Sequence, residues 1–143
     1  MNEGMIQRFN EVLRPGDVLW HLGDIKHSQV TFDNTLGRLN TKEIHLVLGN
    51  HDKENECARW GGFRSISRLR STESGSIVLC HYALRTWPGK NRGGMQLYGH
   101  SHGTLPGLGR QMDVGVDTNN FYPYNVEEIR DRMNKIEFNP EAL

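Results

Sequence analysis

Cysteine is scarce in this chain. Cys57 and Cys80 are the only two, they form no CxxC pair, and they are too few for a disulfide framework. They read as reduced thiols of an intracellular compartment. Long apolar runs are missing too: none approaches the roughly 18 residues of a membrane-spanning helix. No basic segment followed by an apolar stretch opens the chain, so neither secretion nor a membrane association is expected and the protein reads as cytoplasmic. Charge of one sign is also lacking, with 17 basic residues balanced by 17 acidic ones. That balance excludes a general electrostatic attraction to nucleic acid or anionic lipid. Repeats, low-complexity tracts and linkers are absent. Residues 1–143 therefore read as a single domain, long enough to bury about two-thirds of its unfolded surface.

What is present is an apolar pattern whose period changes midway. Met5, Ile6, Phe9, Val12 and Leu13 recur at helical spacing and stop at Arg14-Pro15-Gly16, predicting a helix over 1–13. Asp17 to Leu22 predicts a buried strand, Val30 to Leu39 a helix, Glu43 to Leu48 a second strand, and a short helix follows to Trp60. Beyond that the chain turns to short strands separated by Gly-rich loops: Phe63–Leu69, Ser76–Cys80, Met95–Tyr98 and 111–116. A last helix, Val126 to Ile136, starts after Asn125 with Glu127 and Glu128 in its first turn, where acidic groups complement the helix dipole. Alternating helix and strand, then strands alone, point to an α/β sandwich of two packed sheets with helices outside.

Four of the predicted strands end in side chains that bind metals. Asp24 follows the first, Asn50, His51 and Asp52 the second, His81 the run Ile77–Cys80, and His100 and His102 the run Gln96–Tyr98. In open α/β sheets the carboxyl ends of strands converge on one crevice, where ligands bind. Gly23, Gly49 and Gly99 precede three of these groups and let the backbone turn sharply. Each motif alone has a plainer explanation: a turn, a solvated loop histidine, or a core histidine. All four together, in this order, favour a metal site. Carboxylate, imidazole and amide oxygen suit Mn²⁺, Fe or Zn²⁺ better than Cu(I) or an iron–sulfur cluster.

In order, Gly23-Asp24, Gly49-Asn50-His51-Asp52, His81 and Gly99-His100-Ser101-His102 resemble the motifs of calcineurin-like metallophosphoesterases. The likeness spans about Leu13 to Asp117, and the stretch from Leu79-Cys80-His81-Tyr82 through Trp87 to Gly99-His100-Ser101-His102-Gly103 looks like the small bacterial and phage members. The resemblance implies a four-layer α/β/β/α sandwich with two divalent ions at the strand ends: Mn²⁺ first, with Fe, Zn²⁺, Ni²⁺ or Mg²⁺ as alternatives. It implies that Asp24 bridges the ions, that Asn50, His81 and His100 hold the second, and that His102 holds the first. His51 then protonates the leaving oxygen of a phosphomonoester or phosphodiester, with Asp52 as its candidate assistant.

Two departures qualify this. The family's opening strand and its Asp-x-His motif are missing, leaving the first ion only Asp24 and His102. Three accounts are open: a sequence that starts at an internal Met, a short protein working with one ion or a partner's ligands, or a relative kept for binding. Loss of strand and motif together favours the first, and it predicts exposed sheet edges that invite a homodimer. His27 also stands where many members place a second Asp. Arg85, Lys90 and Arg92, in the loop before Gly99, are candidates for gripping a phosphate, and a solvated basic loop explains them equally well. The expected activity is phosphate-ester hydrolysis of a small molecule or nucleotide. The alternative is a binding or assembly module with one ion or none.

Overall fold

The computed structural model describes residues 1–25, 34–53, 63–64, 66–71 and 75–137. Helix α1 covers Glu3–Val12 and starts where Asn2 accepts a hydrogen bond from the Met5 N–H at 3.0 Å. Ile6 and Phe9, three residues apart on one face, are buried against Leu19, Leu36 and Leu39. The helix ends where Leu13 turns extended ahead of Arg14-Pro15.

Strands β1 (Val18–His21), β2 (Glu43–Val47) and β3 (Phe63–Arg64) form one parallel sheet in that order. Strands β4 (Ile66–Ser71), β5 (Gly75–Cys80), β6 (Met95–Tyr98) and β7 (Gln111–Asp113) form a second, also in chain order. There β4 runs antiparallel to β5, while β5, β6 and β7 run parallel. Residues 77–80 and all of β6 are buried, as expected for central strands covered on both faces. Val47 of the first sheet meets Ile77, Leu79 and Leu97 of the second in one core cluster. Ile129 and Met133 of helix α2 (Val126–Asn134) join it. That helix opens on a capping box in which Asn125 and Glu128 each accept the other's backbone N–H.

The mixed α/β class and the two sheets are as the sequence predicts, and several boundaries differ. The predicted strand over Phe63–Leu69 is two strands, β3 and β4, that join different sheets. Its apolar residues, Phe63, Ile66 and Leu69, recur every third residue, which does not match the period of two of one continuous strand. The last predicted strand stops at Asp113, where the carboxylate caps the turn by accepting the Gly115 N–H at 2.8 Å. Of the helix predicted over Val30–Leu39, the described part, 34–39, is 3-10 and turn rather than α-helix, with a 3-10 turn at Leu36–Arg38. The helix predicted up to Trp60 lies outside the described residues, as do His27 and Cys57.

Among the described residues β1 has a hydrogen-bonded neighbour, β2, on one side only. Along this strand lies a groove of about 1060 Å³, walled by Leu19 and Leu22, by Leu79 and Leu97 of the second sheet, and by Val114 and Ile129. Asp24 and His102 also line it. No helix among the described residues is long and apolar enough to cross a membrane.

Candidate metal centre

Parallel strands deliver their carboxyl ends to one side, and β1, β2, β5 and β6 each bring a candidate ligand there. Asp24 and Gly23 turn the chain after β1 with φ values of 56° and 95°. Any side chain on Gly23 would strike the backbone of Gly49 and the ring of His81, and one on Gly49 would strike the Asp24 carboxylate. The two glycines therefore let the β1 and β2 loops touch.

His81 is buried, at 2% exposure. Its Nδ1 lies 2.6 Å from the Leu22 carbonyl oxygen, which can only accept, so Nδ1 carries the proton. With the proton on Nδ1, Nε2 is the ring nitrogen left to bind a metal ion. It faces Asn50 Oδ1 at 3.0 Å, His100 Nδ1 at 3.2 Å and Asp24 Oδ2 at 3.3 Å. Asp24, His81 and His100 place their ligand atoms within 4.8 Å of one another. Carboxylate, amide oxygen and imidazole nitrogen gathered this way form a set of donors that one cation can share. Ligands about 2.1 Å from one ion stand about 3.0 Å apart at right angles and about 3.4 Å apart at the tetrahedral angle. The observed separations fall in that range, so this donor set fits a divalent cation. The Leu22 carbonyl serves as the outer hydrogen-bond partner that fixes the imidazole.

Asp24 has a second task. Its Oδ1 accepts the backbone N–H of His51 at 3.0 Å, which ties the His51 turn to the ligand set. The His51 residue is exposed, so its ring is open to an incoming ligand.

Asp52 bonds backbone N–H groups with both carboxylate oxygens. Its Oδ2 accepts the N–H groups of Asp24 at 2.7 Å and Gly49 at 2.8 Å, and its Oδ1 accepts that of Ile25 at 2.9 Å. Three backbone donors converge on this carboxylate, which makes it a clamp between the β1 and β2 loops. Asp113 does the same in the second sheet. It accepts Ser101 Oγ–H at 2.7 Å, the Gly103 N–H at 2.9 Å and the Gly115 N–H at 2.8 Å, holding the loop that carries His100 and His102.

His102 is the candidate ligand outside the group. Its Nδ1 is hydrogen-bonded to Asp117 Oδ2, and its side chain is 77% exposed. The Asp117 hydrogen bond, and then its charge, raise the imidazole above its ordinary value. His21, at the end of β1, runs the other way: burial lowers it to about 4, against the opposing charges of Asp52 and Asp24. Its Nδ1 accepts the Gly23 N–H at 3.2 Å, as an unprotonated ring nitrogen does.

The basic loop is elsewhere. β5 and β6 are parallel, so the chain between them must return to the opposite end of the sheet. Gly93 O accepts from Arg110 Nη1, Gly94 packs on the carbonyl of Ser76, and Lys90 Nζ lies 5.0 Å from the Trp87 ring and donates to Arg85 O. Lys90 and Arg92 thus sit at the start of β6, the end of the sheet opposite the ligand set, while Arg85 lies between them and His81 in the chain. Two buried glutamines, Gln96 and Gln111, pin the intervening chain by bonding Leu84 and Tyr82. The signal for them was in the sequence, where amides interrupt apolar strands and buried amides need partners.

No family model matches the sequence, and no curated protein matches it. The fold resembles the crystal structure of a protein of unknown function from Aquifex aeolicus. That likeness has a TM-score of 0.70 at 21% identity, over 90% of this chain and 83% of the other. At that identity the likeness extends to the fold alone.

Proposed function

We propose that this protein is a metal-dependent phosphoesterase, cleaving phosphomonoester or phosphodiester bonds, with Mn²⁺ as the first candidate ion. The observation that carries the reading is the convergence of Asp24, Asn50 and His100 on Nε2 of His81. A divalent cation bound there supplies Lewis acidity and a water acidified toward neutral pH. The chain's own residues do the rest. Asp24 accepts the His51 N–H and so holds His51 at the edge of the ligand set. As water adds to phosphorus and the ester P–O bond breaks, His51 donates a ring proton to the departing oxygen. His81, fixed by Leu22, cannot rotate to compete for that proton. We further propose the four-layer α/β/β/α arrangement for the two sheets and two helices.

The test is hydrolysis of bis-p-nitrophenyl phosphate with Mn²⁺. Turnover is expected to require the ion, to vanish in Asp24→Ala together with Mn²⁺ binding, and to fall about 10²–10⁴-fold in His51→Ala with Mn²⁺ still bound. Mn²⁺ binding without hydrolysis of any phosphomonoester or phosphodiester would reject the enzyme reading. One observation favours a second reading, a binding or assembly module with a single ion: His102 stands apart from the ligand set, bonded to Asp117. On that reading His51→Ala leaves the biological activity intact.

A further inference from the structure

Two aromatic residues follow His81 in the loop to β6, one buried and one exposed. Trp87 is buried at 5% exposure and donates its Nε1–H to the Gly94 carbonyl at 2.9 Å, which makes it core. Tyr82 is 45% exposed. Its ring centroid lies 4.9 Å from those of both His81 and His100, inclined at 79° and 64°. A large ring is therefore open to solvent directly beside two members of the ligand set.

The ring is also held in place from behind. Gln96, with no exposed surface, donates to the Tyr82 carbonyl at 3.3 Å and accepts the Leu84 N–H at 3.2 Å. Gln111 bonds Gln96 and donates to Leu84 O at 2.7 Å. Burying two amides in the strand layer is costly unless they bond. What they bond is the main chain on either side of Ala83, so Tyr82 is presented by a fixed backbone. A preorganised aromatic face loses little entropy on binding and accepts any planar π-system.

We propose that Tyr82 is a stacking platform for a planar aromatic group, a nucleobase or an aryl ring, carried by the phosphate ester that this site binds. The inference rests on the phosphoesterase reading, and it narrows the substrate class within it. Saturated alkyl phosphates gain nothing from such a surface.

The experiment measures binding by calorimetry to the full chain with Mn²⁺, using two matched pairs of phosphates. Adenosine 5′-monophosphate against ribose 5-phosphate isolates a nucleobase; phenyl phosphate against methyl phosphate isolates an aryl ring. In at least one pair the aromatic member is expected to bind about tenfold tighter. That ratio is expected to collapse below about twofold in Tyr82→Leu and to survive in Tyr82→Phe, which keeps the ring. Which pair responds identifies the source of the aromatic group. Flat ratios in both pairs for the unaltered protein, or a ratio that Tyr82→Leu leaves intact, overturn the platform alone. If Mn²⁺ binds and neither pair does, the phosphate site falls and the platform with it.

Discussion

Asp24, His100 and His102 all hold a left-handed backbone, with φ of 56°, 63° and 48°. For side chains with a Cβ that conformation costs on the order of 1 kcal/mol each. Asn120 and Phe121 share that conformation among the described residues, so three of five such non-glycine positions are candidate ligands. The residue types were legible in the sequence, because Asp, Asn and His at strand ends are unusual together. Their directions were not. Asp52 follows His51 in the chain yet bonds Asp24, Gly49 and Ile25, since a tight turn sends adjacent side chains to different partners. His21 gives a test at this scale. Its ring, lowered to about 4 in the fold and near 6.5 unfolded, stays neutral while the unfolded chain takes up a proton. The stability it contributes is therefore fully present above pH 6.5 and is lost as pH falls toward 4. The loss is about 1–3 kcal/mol, allowing for the partial exposure of the residue. His21→Asn retains an acceptor for the Gly23 N–H and cannot protonate. Urea midpoints at pH 7 and pH 5 are expected to drop less in this variant than in the unaltered protein, and equal drops would reject the assignment. His102 has the opposite sign, its contribution fading as pH rises through its raised value, and its exposure keeps that contribution small.

Elements, at the next scale, explain both what reached the site and what did not. Parallel pairing aligns the ends of β1 with β2 and of β5 with β6, so ligands read at four strand ends could be expected to meet. The same parallel pairing removes Lys90 and Arg92, because a loop joining parallel strands ends where the next strand begins. Strand order and sense are not written in local periodicity, and so that loop could not be placed from the sequence. Nor could the two clamps, since a carboxylate that joins two loops looks in sequence like any turn residue. Asp52→Asn checks the first clamp. The amide sets an NH₂ group against at least one of the three N–H donors, and we expect about 2–4 kcal/mol of lost stability. Mn²⁺ affinity should fall about 10–100-fold, as when an outer partner of a ligand is removed. Chemical denaturation and metal titration read these separately. A variant with unchanged stability and unchanged Mn²⁺ affinity would show that Asp52 does not clamp the loops.

For the molecule as a whole, the feature that calls for an explanation is the apolar groove beside β1. A sheet edge presents backbone N–H and C=O groups in a row, and an adjoining apolar hollow gives an added strand something to bury. Leu19, Leu22, Leu79, Leu97, Val114 and Ile129 line that hollow, while β1 pairs on one side only among the described residues. The groove could not be read from the sequence, because its walls come from the packing of both sheets. We expect two copies to associate through this edge. Val18→Lys is the probe. Val18 opens β1, is 47% exposed, and lies opposite Glu43 of β2, so a lysine gains an opposite charge within the fold and loses little. At the edge the same lysine resists strand addition, because pairing would bury its ammonium. Light scattering after size exclusion is expected to show a dimer for the unaltered protein and a monomer for Val18→Lys, with circular dichroism unchanged between them. A monomer at every concentration of the unaltered protein would remove the edge as an interface, leaving the groove to be explained by ligand binding within one chain.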